Sequence, residues 1–492
     1  MSQSYILAID QGTSSTKTLV FDKAGQAVAR GSEPLQTNYL DNGWVEQDAE
    51  AIFQNVIASV KKCLEQFSAK GFDINHIRTI GISNQRETFV VWDRQGIALH
   101  PAIVWQCKRS VAICEELKLQ GHASIIQQKT GLVIDPYFSA TKLVWLFQNN
   151  ERVKKTIQSG DAFFGTIDTW LLYRLTKGKE FATDYTNASR TLFFNLHTLS
   201  WDNDLVELFG VSGVHLPAIK ASAALFGETD LEGIFERKLP ITAMIGDSHA
   251  AAFGEGCFDT GTAKATLGTG CSLLMNIGEQ PVTSLHGMVT TICWSTEERI
   301  DFALEGVIVS CGATIEWLKN EMKLFEDPRE TASMAASVAD NGGVYLVPAF
   351  SGLGSPHWQM ERRASISGLS FGSTKNHLVR AALESIPFQV KDVIAAMEKD
   401  AGIQLVELFA NGGMTSNSFV MQMLADLLNI PVSSGTMADV SALGAAYLAG
   451  IKAGVYEGID AVRKLAAAKK YYSPIQPLVA SQAYKGWLKV LK

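Results

Sequence analysis

The chain has 492 residues, more than one hydrophobic core usually supports, so its length predicts two domains. With 47% hydrophobic and 19% charged residues, its composition argues against disorder. A net charge of −7 without a basic block argues against nucleic acid as a partner, and no apolar run reaches the roughly 18 residues of a membrane helix.

The cysteines and the N-terminus indicate a cytoplasmic location. The chain contains seven cysteines, an odd number, and no C-x-x-C pair. This pattern predicts buried thiols in a reducing compartment rather than disulfides or a zinc site. The N-terminus also lacks the charged start and apolar stretch of a signal peptide.

The first half of the sequence alternates strands with a helix. Two apolar runs flank a small polar turn near the N-terminus, and the spacing of apolar residues later predicts one amphipathic helix. The predicted strands are residues 5–9, 18–21, 27–32, 78–83 and 88–92, and the predicted helix is residues 49–67. This α/β pattern favours a mixed sheet with helices packed on it.

A similar pattern returns in the second half. Residues 265–279 again read as strand, Gly/Thr turn and strand, and residues 405–429 read as strand, Gly-rich turn and helix. An internal duplication would explain this recurrence. We place the domain boundary between Ala251 and Thr262, which divides the chain into residues 1–254 and 255–492.

Three turns rich in Gly, Ser and Thr each end an apolar run, at residues 10–15, 268–270 and 412–417. Such turns offer backbone N–H groups and hydroxyls to phosphate, and a carboxylate such as Asp10 can hold Mg²⁺. One such turn is equally typical of an ordinary hairpin, and no P-loop pattern is present. Three together predict a nucleotide held between two duplicated domains.

Several segments carry a family resemblance. They include "AIDQGTSSTK", "IGISNQRETFVVWD", "TGLVIDPYFSATK", "TDYTNASRTLFFN", "LGTGCSLLMN" and "SALGAAYLAG". From about residue 4 to 490 the chain resembles the FGGY carbohydrate kinases, and within that family its glycerol kinase branch. The resemblance implies two actin-like, ribonuclease-H-like domains hinged about a cleft, with ATP and Mg²⁺ used to phosphorylate a primary hydroxyl of a small polyol.

The resemblance also implies roles for individual residues on the nucleotide side. Asp10 would place Mg²⁺, and Thr13, Ser14 and Ser15 would lie near the γ-phosphate. Further matched nucleotide positions are Lys17, Thr269, Gly312, Glu316, Gly413 and Asn417. Lys17 and Glu316 replace arginine and glutamine, which leaves nucleotide preference open. Gly413 equally fits a tight turn.

Asp247, in "MIGDSHAAAFG", matches the family's general base. Phosphoryl transfer requires a carboxylate within hydrogen-bond reach of the attacking hydroxyl. The same segment is also a good helix start with Asp247 as N-cap, and the two roles are compatible.

Arg86 and Glu87 match family residues that bind the polyol, and Trp105 and Tyr137 match family residues that line the polyol site. Read from the residues alone, an adjacent Arg–Glu pair is more often a solvated surface pair. Isolated aromatic residues are more often simply part of the core.

Two positions depart from the glycerol kinase pattern. Ser248 stands where those kinases have Gln, and Ser272 where they have Phe. Both changes shorten a wall of the polyol site, so we expect room for a four- or five-carbon polyol or ketose, with glycerol a poor substrate. His249 is a further hydroxyl-partner candidate, although a structural or solvated histidine is commoner at a helix start.

Two other classes of protein remain open at this stage. One is an actin- or Hsp70-like ATPase, and the other is a catalytically silent sugar sensor. The polyol-site run from Asn84 to Tyr137 argues against the first, and intact Asp10 and Asp247 argue against the second. A homo-oligomer, dimer or tetramer, is usual for the family that the chain resembles.

Overall fold

The computed structural model describes residues 4–435, 437–465 and 469–492. The strands are β1 (Tyr5–Gln11), β2 (Ser15–Phe21), β3 (Ala27–Pro34), β4 (Asn38–Leu40), β5 (Trp44–Gln47), β6 (Ile77–Asn84), β7 (Phe89–Trp92), β8 (Ala102–Ile103), β9 (Ala162–Thr166), β10 (Ala182–Asp184), β11 (Phe194–Asn195), β12 (Ser200–Trp201), β13 (Val214–His215), β14 (Ala218–Lys220), β15 (Gly227–Thr229), β16 (Leu239–Gly246), β17 (Thr262–Leu267), β18 (Cys271–Gly278), β19 (Val289–Ser295), β20 (Ile300–Ile308), β21 (Tyr345–Val347), β22 (Ser365–Ser367), β23 (Glu407–Asn411), β24 (Val432–Gly435) and β25 (Lys469–Tyr472). The helices are α1 (Ala49–Ala69), α2 (Val111–Leu119), α3 (Ala123–Thr130), α4 (Ser139–Asn149), α5 (Glu151–Gln158), α6 (Ile167–Leu175), α7 (Tyr185–Ala188), α8 (Asn203–Leu208), α9 (Asp247–Glu255), α10 (Gly312–Asn320), α11 (Thr331–Ala336), α12 (Lys375–Ala401), α13 (Ser418–Leu428), α14 (Val440–Lys452), α15 (Ile459–Arg463) and α16 (Pro477–Val490).

The main sheets of the two halves share the strand pairing at their centre. The first sheet runs β15-β16-β6-β1-β2-β3, and the second runs β19-β20-β18-β17-β23-β24-β25. In each, the first strand of the half pairs antiparallel with the second and parallel with a later strand on its other side. The predictions of mixed sheets and of an internal duplication are therefore confirmed.

Helix α1 illustrates why the spacing of apolar residues predicted a helix. Its buried residues include Ile52, Val56, Val60 and Phe67, which recur every three or four positions and cover one side of the first sheet. Asp48 caps its N-terminus by accepting a hydrogen bond from the N–H of Ala51 at 2.7 Å.

A third sheet belongs to the first half and runs β13-β9-β7-β8-β5-β4. The segments that connect it to the first sheet include the turn from β6 to β7, residues 85–88. Because β6 ends in the first sheet and β7 starts in the third, this turn lies where the two sheets meet.

Two helices join the halves. Helix α9 follows β16 directly, while α14, although late in the chain, packs against β1, β6 and β16 of the first sheet. The apolar cluster around them includes Ile6 and Ala8 from the first half and Leu274 and Phe409 from the second. No helix in the described ranges is long and apolar enough to cross a membrane.

Candidate active site

A cavity of about 790 Å³ lies between the two halves, and both contribute to its wall. The wall includes the predicted residues Asp10, Thr13, Lys17, Arg86, Glu87, Trp105, Tyr137, Asp247, Ser248, Ser272 and Gly413. The predicted residues outside this wall are Ser14, Ser15, Thr269, Gly312, Glu316 and Asn417.

Asp10 lies at the end of β1, next to β6. Because β1 and β6 pair in parallel, Asp10 stands opposite Ser83, whose hydroxyl donates to Asp10 Oδ1 at 2.7 Å. Burial raises the pKa of Asp10 to about 6; the hydrogen bond from Ser83 opposes this rise, and the Asp247 carboxylate adds to it. Both carboxylates line the cavity, and a cation bound there would offset their negative charges.

The first turn is held by buried amide and indole groups. Thr13 Oγ1 accepts a hydrogen bond from Trp105 Nε1 at 3.0 Å and donates to Gln85 Oε1 at 3.3 Å. Gln47 Nε2 donates to the Thr13 carbonyl at 2.7 Å. Ser14, at the tip of the turn, is exposed.

Strand β2 continues from the turn along the cavity. The Ser15 carbonyl accepts from the N–H of Gly12 at 3.0 Å, which closes the turn. Lys17 Nζ lies 3.1 Å from Asp439 Oδ1, and Arg30 also pairs with Asp439. Asp439 lies on the cavity wall and was not identified from the sequence.

Asp247 is the first residue of α9, and Gly246 occupies the N-cap position. The interpretation of Asp247 as the helix cap is therefore wrong: among the hydrogen bonds of the described residues, its side chain accepts one from the adjacent Ser248 N–H, at 2.6 Å, and none from further along α9. Burial raises the pKa of Asp247, and the guanidinium of Arg86, with Nε 3.5 Å from Asp247 Oδ1, opposes this rise.

Arg86 and Glu87 are not a surface pair, so that alternative is wrong. They are 7% and 1% exposed, and each pairs with a partner distant in sequence. Arg86 Nη2 donates to Glu305 Oε1 at 2.8 Å, and Arg190 Nε donates to Glu87 Oε1 at 2.6 Å. Arg190 Nη1 lies 2.6 Å from Glu305 Oε2, which joins the four charges into one network.

Glu87 has a backbone φ of 59°, in the left-handed region that residues with a Cβ rarely adopt. Burial raises its pKa, and the positive charges of Arg190 and Arg86 oppose that rise. The strained backbone is held by the charge network and directs this carboxylate to the cavity wall.

Sequence analysis missed Arg190 and Glu305. Glu305 left a signal, because it is a charged residue within the apolar run "FALEGVIV" of a buried strand. Arg190 follows the short helix α7 and left no periodic signal.

Trp105 and Tyr137 form the aromatic side of the cavity. Their ring centroids are 5.5 Å apart in an edge-to-face arrangement. Lys142 Nζ donates to the Tyr137 carbonyl at 2.7 Å and so fixes this segment. Both rings line the cavity, so these two residues are not simply part of the hydrophobic core.

The opposite side of the cavity is polar. Lys264 Nζ donates to Ser248 Oγ at 2.7 Å, and the hydroxyls of Ser248 and Ser272 are 3.5 Å apart. His249 is fully buried with Nε2 3.5 Å from Thr291 Oγ1, and burial lowers its pKa well below the usual value. It lies behind the cavity wall, as expected for a structural histidine.

The predicted turn of residues 268–270 packs against the start of α10. The Gly312 N–H donates to the Gly268 carbonyl at 2.9 Å, and the Thr269 carbonyl accepts from the N–H of Cys311 at 2.9 Å. Glu316 is exposed one turn further along α10. These residues belong to the second half and lie outside the cavity wall.

The turn after β23 contributes Gly413 to the cavity wall. Asn417 instead caps α13, since its Oδ1 accepts from the N–H groups of Phe419 and Val420 at 3.1 and 3.2 Å. Its amide donates to Thr331 Oγ1 at 3.0 Å. Asn417 thus holds the end of this turn in place, and Gly413 is the residue of the turn that lies on the cavity wall.

Two duplicated α/β domains about a polar cleft define the actin-like, ribonuclease-H-like class of sugar kinases. Models of the N-terminal and C-terminal domains of the FGGY family of carbohydrate kinases match residues 5–254 and 263–453. The chain belongs to the FGGY family of carbohydrate kinases, and it is an ATP-dependent carbohydrate or polyol kinase.

Relatives and solved structures agree with this assignment. The chain is 42% identical to glycerol kinase of Bacillus cereus (strain Q1) over 490 residues, covering 99% of this chain and 98% of the relative. The crystal structure of Plasmodium falciparum glycerol kinase with ADP matches with a TM-score of 0.94 and 36% identity, covering 99% and 98% of the two chains. Gluconate kinase from Lactobacillus acidophilus, at 24% identity, a TM-score of 0.88 and coverage of 99% and 97%, shows the shared fold alone.

Proposed function

We propose that the protein transfers the terminal phosphoryl group of ATP to a primary hydroxyl of a small polyol, with glycerol as the simplest acceptor. The observation that carries this proposal is the convergence of Asp247, Arg86 and Glu87 with the first turn on one cavity. The glycerol kinases that are 42% identical over nearly the whole chain support a polyol as the acceptor.

Asp247 is the general base in this proposal. It removes the proton of the acceptor hydroxyl as that oxygen attacks the terminal phosphorus in line. The Ser248 N–H and the Arg86 guanidinium both contact Oδ1 of Asp247. Oδ2 is therefore the oxygen available to the acceptor.

Arg86 and Glu87 bind the remaining hydroxyls of the polyol. Arg86 Nη1 is buried and has no hydrogen-bond partner within the described residues. Because Arg86 lines the cavity and its guanidinium is incompletely paired, a ligand hydroxyl that accepts from this group is bound favourably. Arg190 holds Oε1 of Glu87, which leaves the second carboxylate oxygen to accept from another hydroxyl.

The nucleotide lies across the two halves. The turn residues Thr13, Ser14 and Ser15 offer hydroxyls and N–H groups to the terminal phosphate, and Lys17 adds a positive charge. The second half contributes Thr269, Gly312, Glu316, Gly413 and Asn417, of which Gly413 lies on the cavity wall.

Asp10 is the residue that would hold Mg²⁺. No group of three or more His, Cys, Asp or Glu side chains in the part of the chain that the structure describes could hold a metal ion by itself. Mg²⁺ commonly takes one or two carboxylates and completes its octahedron with water and phosphate oxygens, so a single buried carboxylate beside a phosphate site fits it. Bound there, the ion would offset the negative charge of the phosphates.

The Asp247→Asn variant tests the proposal. We expect kcat for polyol-dependent ADP release to fall by about 10²- to 10⁴-fold, the usual contribution of a general base, while calorimetry still detects polyol binding. Asp41→Asn, at an exposed turn, is the matched control and should retain full activity.

The same assay separates the other classes of protein. ADP release that does not depend on any polyol would favour an ATPase of the actin or Hsp70 type. Polyol binding without turnover in the unaltered protein would indicate a sensor. Either result would overturn the proposal.

We further propose a cytoplasmic homo-oligomer, a dimer or tetramer. All seven cysteines are free and buried, which is compatible with a reducing compartment. Sedimentation velocity of the purified protein measures the oligomeric state, and a monomer across the concentration range would contradict this expectation.

A further inference from the structure

The polar side of the cavity next to Asp247 contains a cluster that the proposed function does not use. We call Lys264, Ser248 and Ser272 the serine–lysine cluster. Lys264 Nζ donates to Ser248 Oγ at 2.7 Å, Ser248 Oγ is 3.5 Å from Ser272 Oγ, and Ser272 Oγ is 3.5 Å from Glu305 Oε1. All three side chains line the cavity.

Lys264 is the least satisfied member of the cluster. Its ammonium group has three N–H donors, and within the described residues it donates only to Ser248 Oγ. Lys264 is 1% exposed, so water in bulk does not satisfy the remaining donors. A buried ammonium with unfilled donors is costly unless a ligand supplies acceptors.

The charges around the cluster indicate a neutral ligand. Arg86 and Arg190 form ion pairs with Glu87, Glu305 and Asp247, and Lys264 adjoins this network through the hydroxyls of Ser248 and Ser272, so three basic and three acidic side chains meet here. No excess positive charge remains to offset a carboxylate or phosphate on the acceptor. A hydroxyl, which both accepts from Lys264 and donates to a serine, matches the cluster.

The short side chains of Ser248 and Ser272 also leave room in the cavity for a longer acceptor. The two serines put short side chains on a wall of the 790 Å³ cavity, directly beside the residue that we propose as the base. Glycerol presents one hydroxyl to Asp247 and two to Arg86 and Glu87. It therefore has none left for the serine–lysine cluster.

We propose that the serine–lysine cluster binds the additional hydroxyls of an open-chain polyol of four or five carbons, and that such a polyol is a better acceptor than glycerol. This inference rests on the proposed function, because the reacting hydroxyl must still lie at Asp247. A site whose buried polar groups stay unpaired with the shorter substrate discriminates against it strongly.

The test compares acceptors by kcat/KM in a coupled ADP-release assay with Mg²⁺ and ATP. The acceptors are glycerol, erythritol, threitol, ribitol and xylitol, with erythrulose, ribulose and gluconate as a carbonyl and acid series. We expect one tetritol or pentitol to exceed glycerol by at least about tenfold, the discrimination that one paired group commonly provides. A best rate with glycerol, with a ketose or with gluconate would overturn the inference.

Variants of Ser272 test whether the preference for a longer polyol depends on the serine–lysine cluster. Ser272→Ala removes one hydroxyl, and Ser272→Phe also fills the space beside it. We expect the ratio of kcat/KM between the best long polyol and glycerol to fall by about tenfold or more in Ser272→Phe, and by less in Ser272→Ala. Ser68→Phe, on the exposed face of α1, is the control and should leave the ratio unchanged.

Circular dichroism confirms that each variant folds before its ratio is interpreted. An unchanged ratio in folded Ser272→Phe would overturn the inference and leave the proposed function intact, provided that ADP release still requires a polyol. If no polyol stimulates ADP release in the unaltered protein, the proposed function itself fails.

Discussion

The carboxylate of Glu305 lies between two guanidinium groups in the middle of strand β20. Arg86 Nη2 and Arg190 Nη1 approach it at 2.8 and 2.6 Å, and the side chain is 2% exposed. Burial alone would raise the pKa of Glu305, but the charges of Arg190 and Arg86 hold it well below its usual value. Glu305 therefore neutralises two buried cations, one of which, Arg86, lines the cavity.

Removing this carboxylate should destabilise the fold. We expect Glu305→Ala to lower the free energy of unfolding by about 3–5 kcal/mol, because it leaves Arg86 and Arg190 without their shared partner. Urea denaturation measures the loss, with Glu298→Ala at an exposed position as control. Equal stability of the two variants would show that the network does not stabilise the fold.

A second buried carboxylate predicts a pH dependence. Burial and the neighbouring Asp184 raise the pKa of Asp168 from 3.8 to about 7. The folded protein therefore holds a proton that the unfolded chain loses between these values, so this group makes the protein less stable as pH rises from about 4 to 7. Asp168→Asn should remove that dependence.

Urea midpoints of the unaltered protein and of Asp168→Asn, measured between about pH 5 and pH 8, check this expectation. The stability of the unaltered protein relative to the variant should fall as pH rises from about 5 to 7, by up to about 3 kcal/mol, since each of the roughly two pKa units in this window corresponds to about 1.4 kcal/mol. Asp204→Asn, at a side chain that is 86% exposed, is the control. Parallel pH profiles for Asp168→Asn and the unaltered protein would contradict the prediction.

At the scale of elements, the crossing of α9 and α14 holds the proposed base, Asp247, in place. The two helices approach so closely that a Cβ added at Gly444 would lie 1.8 Å from the Ala250 carbonyl oxygen. Ser441 Oγ also donates to the Asp247 carbonyl at 3.0 Å, across the same contact. Because Asp247 begins α9, its position depends on this crossing.

Gly444→Ala should push the two helices apart. We expect a loss of about 1–3 kcal/mol in stability, typical of overpacking, together with lower kcat because Asp247 moves with α9. Thermal unfolding and the ADP-release assay measure the two effects. Gly372→Ala, where the nearest atom to an added Cβ is 3.7 Å away, is the control. If the two variants behave alike, the close crossing is not what positions Asp247.

At the scale of the whole molecule, the cavity is shared between two halves, and an apolar cluster that takes residues from both helps to join them. That cluster surrounds α9 and α14, and the cavity wall takes residues from both halves. Such an arrangement allows closure about the helices, which would exclude water from the terminal phosphate and limit ATP hydrolysis.

We therefore expect small-angle X-ray scattering to show a smaller radius of gyration when a polyol and a non-hydrolysable ATP analogue are both present. The protein without ligands is the reference, and gluconate with the same analogue tests whether closure requires a neutral acceptor. An unchanged radius with saturating polyol and nucleotide would contradict closure.

Much of the fold was readable from local patterns. The helix predicted at residues 49–67 forms as Ala49–Ala69, and the strand predicted at residues 78–83 forms as Ile77–Asn84. These elements depend on apolar spacing within one segment, which the sequence displays directly. The repeated turn pattern likewise indicated the duplication that the strand pairing shows.

The partners of the charged residues in the cavity could not be predicted from local sequence patterns. Arg86 and Glu305 are 219 positions apart in sequence, and Glu87 and Arg190 are 103 apart. The alternative interpretation of Arg86–Glu87 as a surface ion pair therefore named the wrong charge partner for each residue. Sequence analysis did not identify Lys264, because a single lysine within an apolar strand does not indicate which groups its side chain will contact.

The sequence by itself determined the α/β class, the duplication and the family, and it indicated Asp247 as the candidate base, because each of these depends on periodicity or on motifs within short segments. Only the tertiary structure decided which charges neutralise one another and which hydroxyls meet beside Asp247. Those contacts join residues from both halves, and their energies depend on burial and distance, which no local pattern encodes.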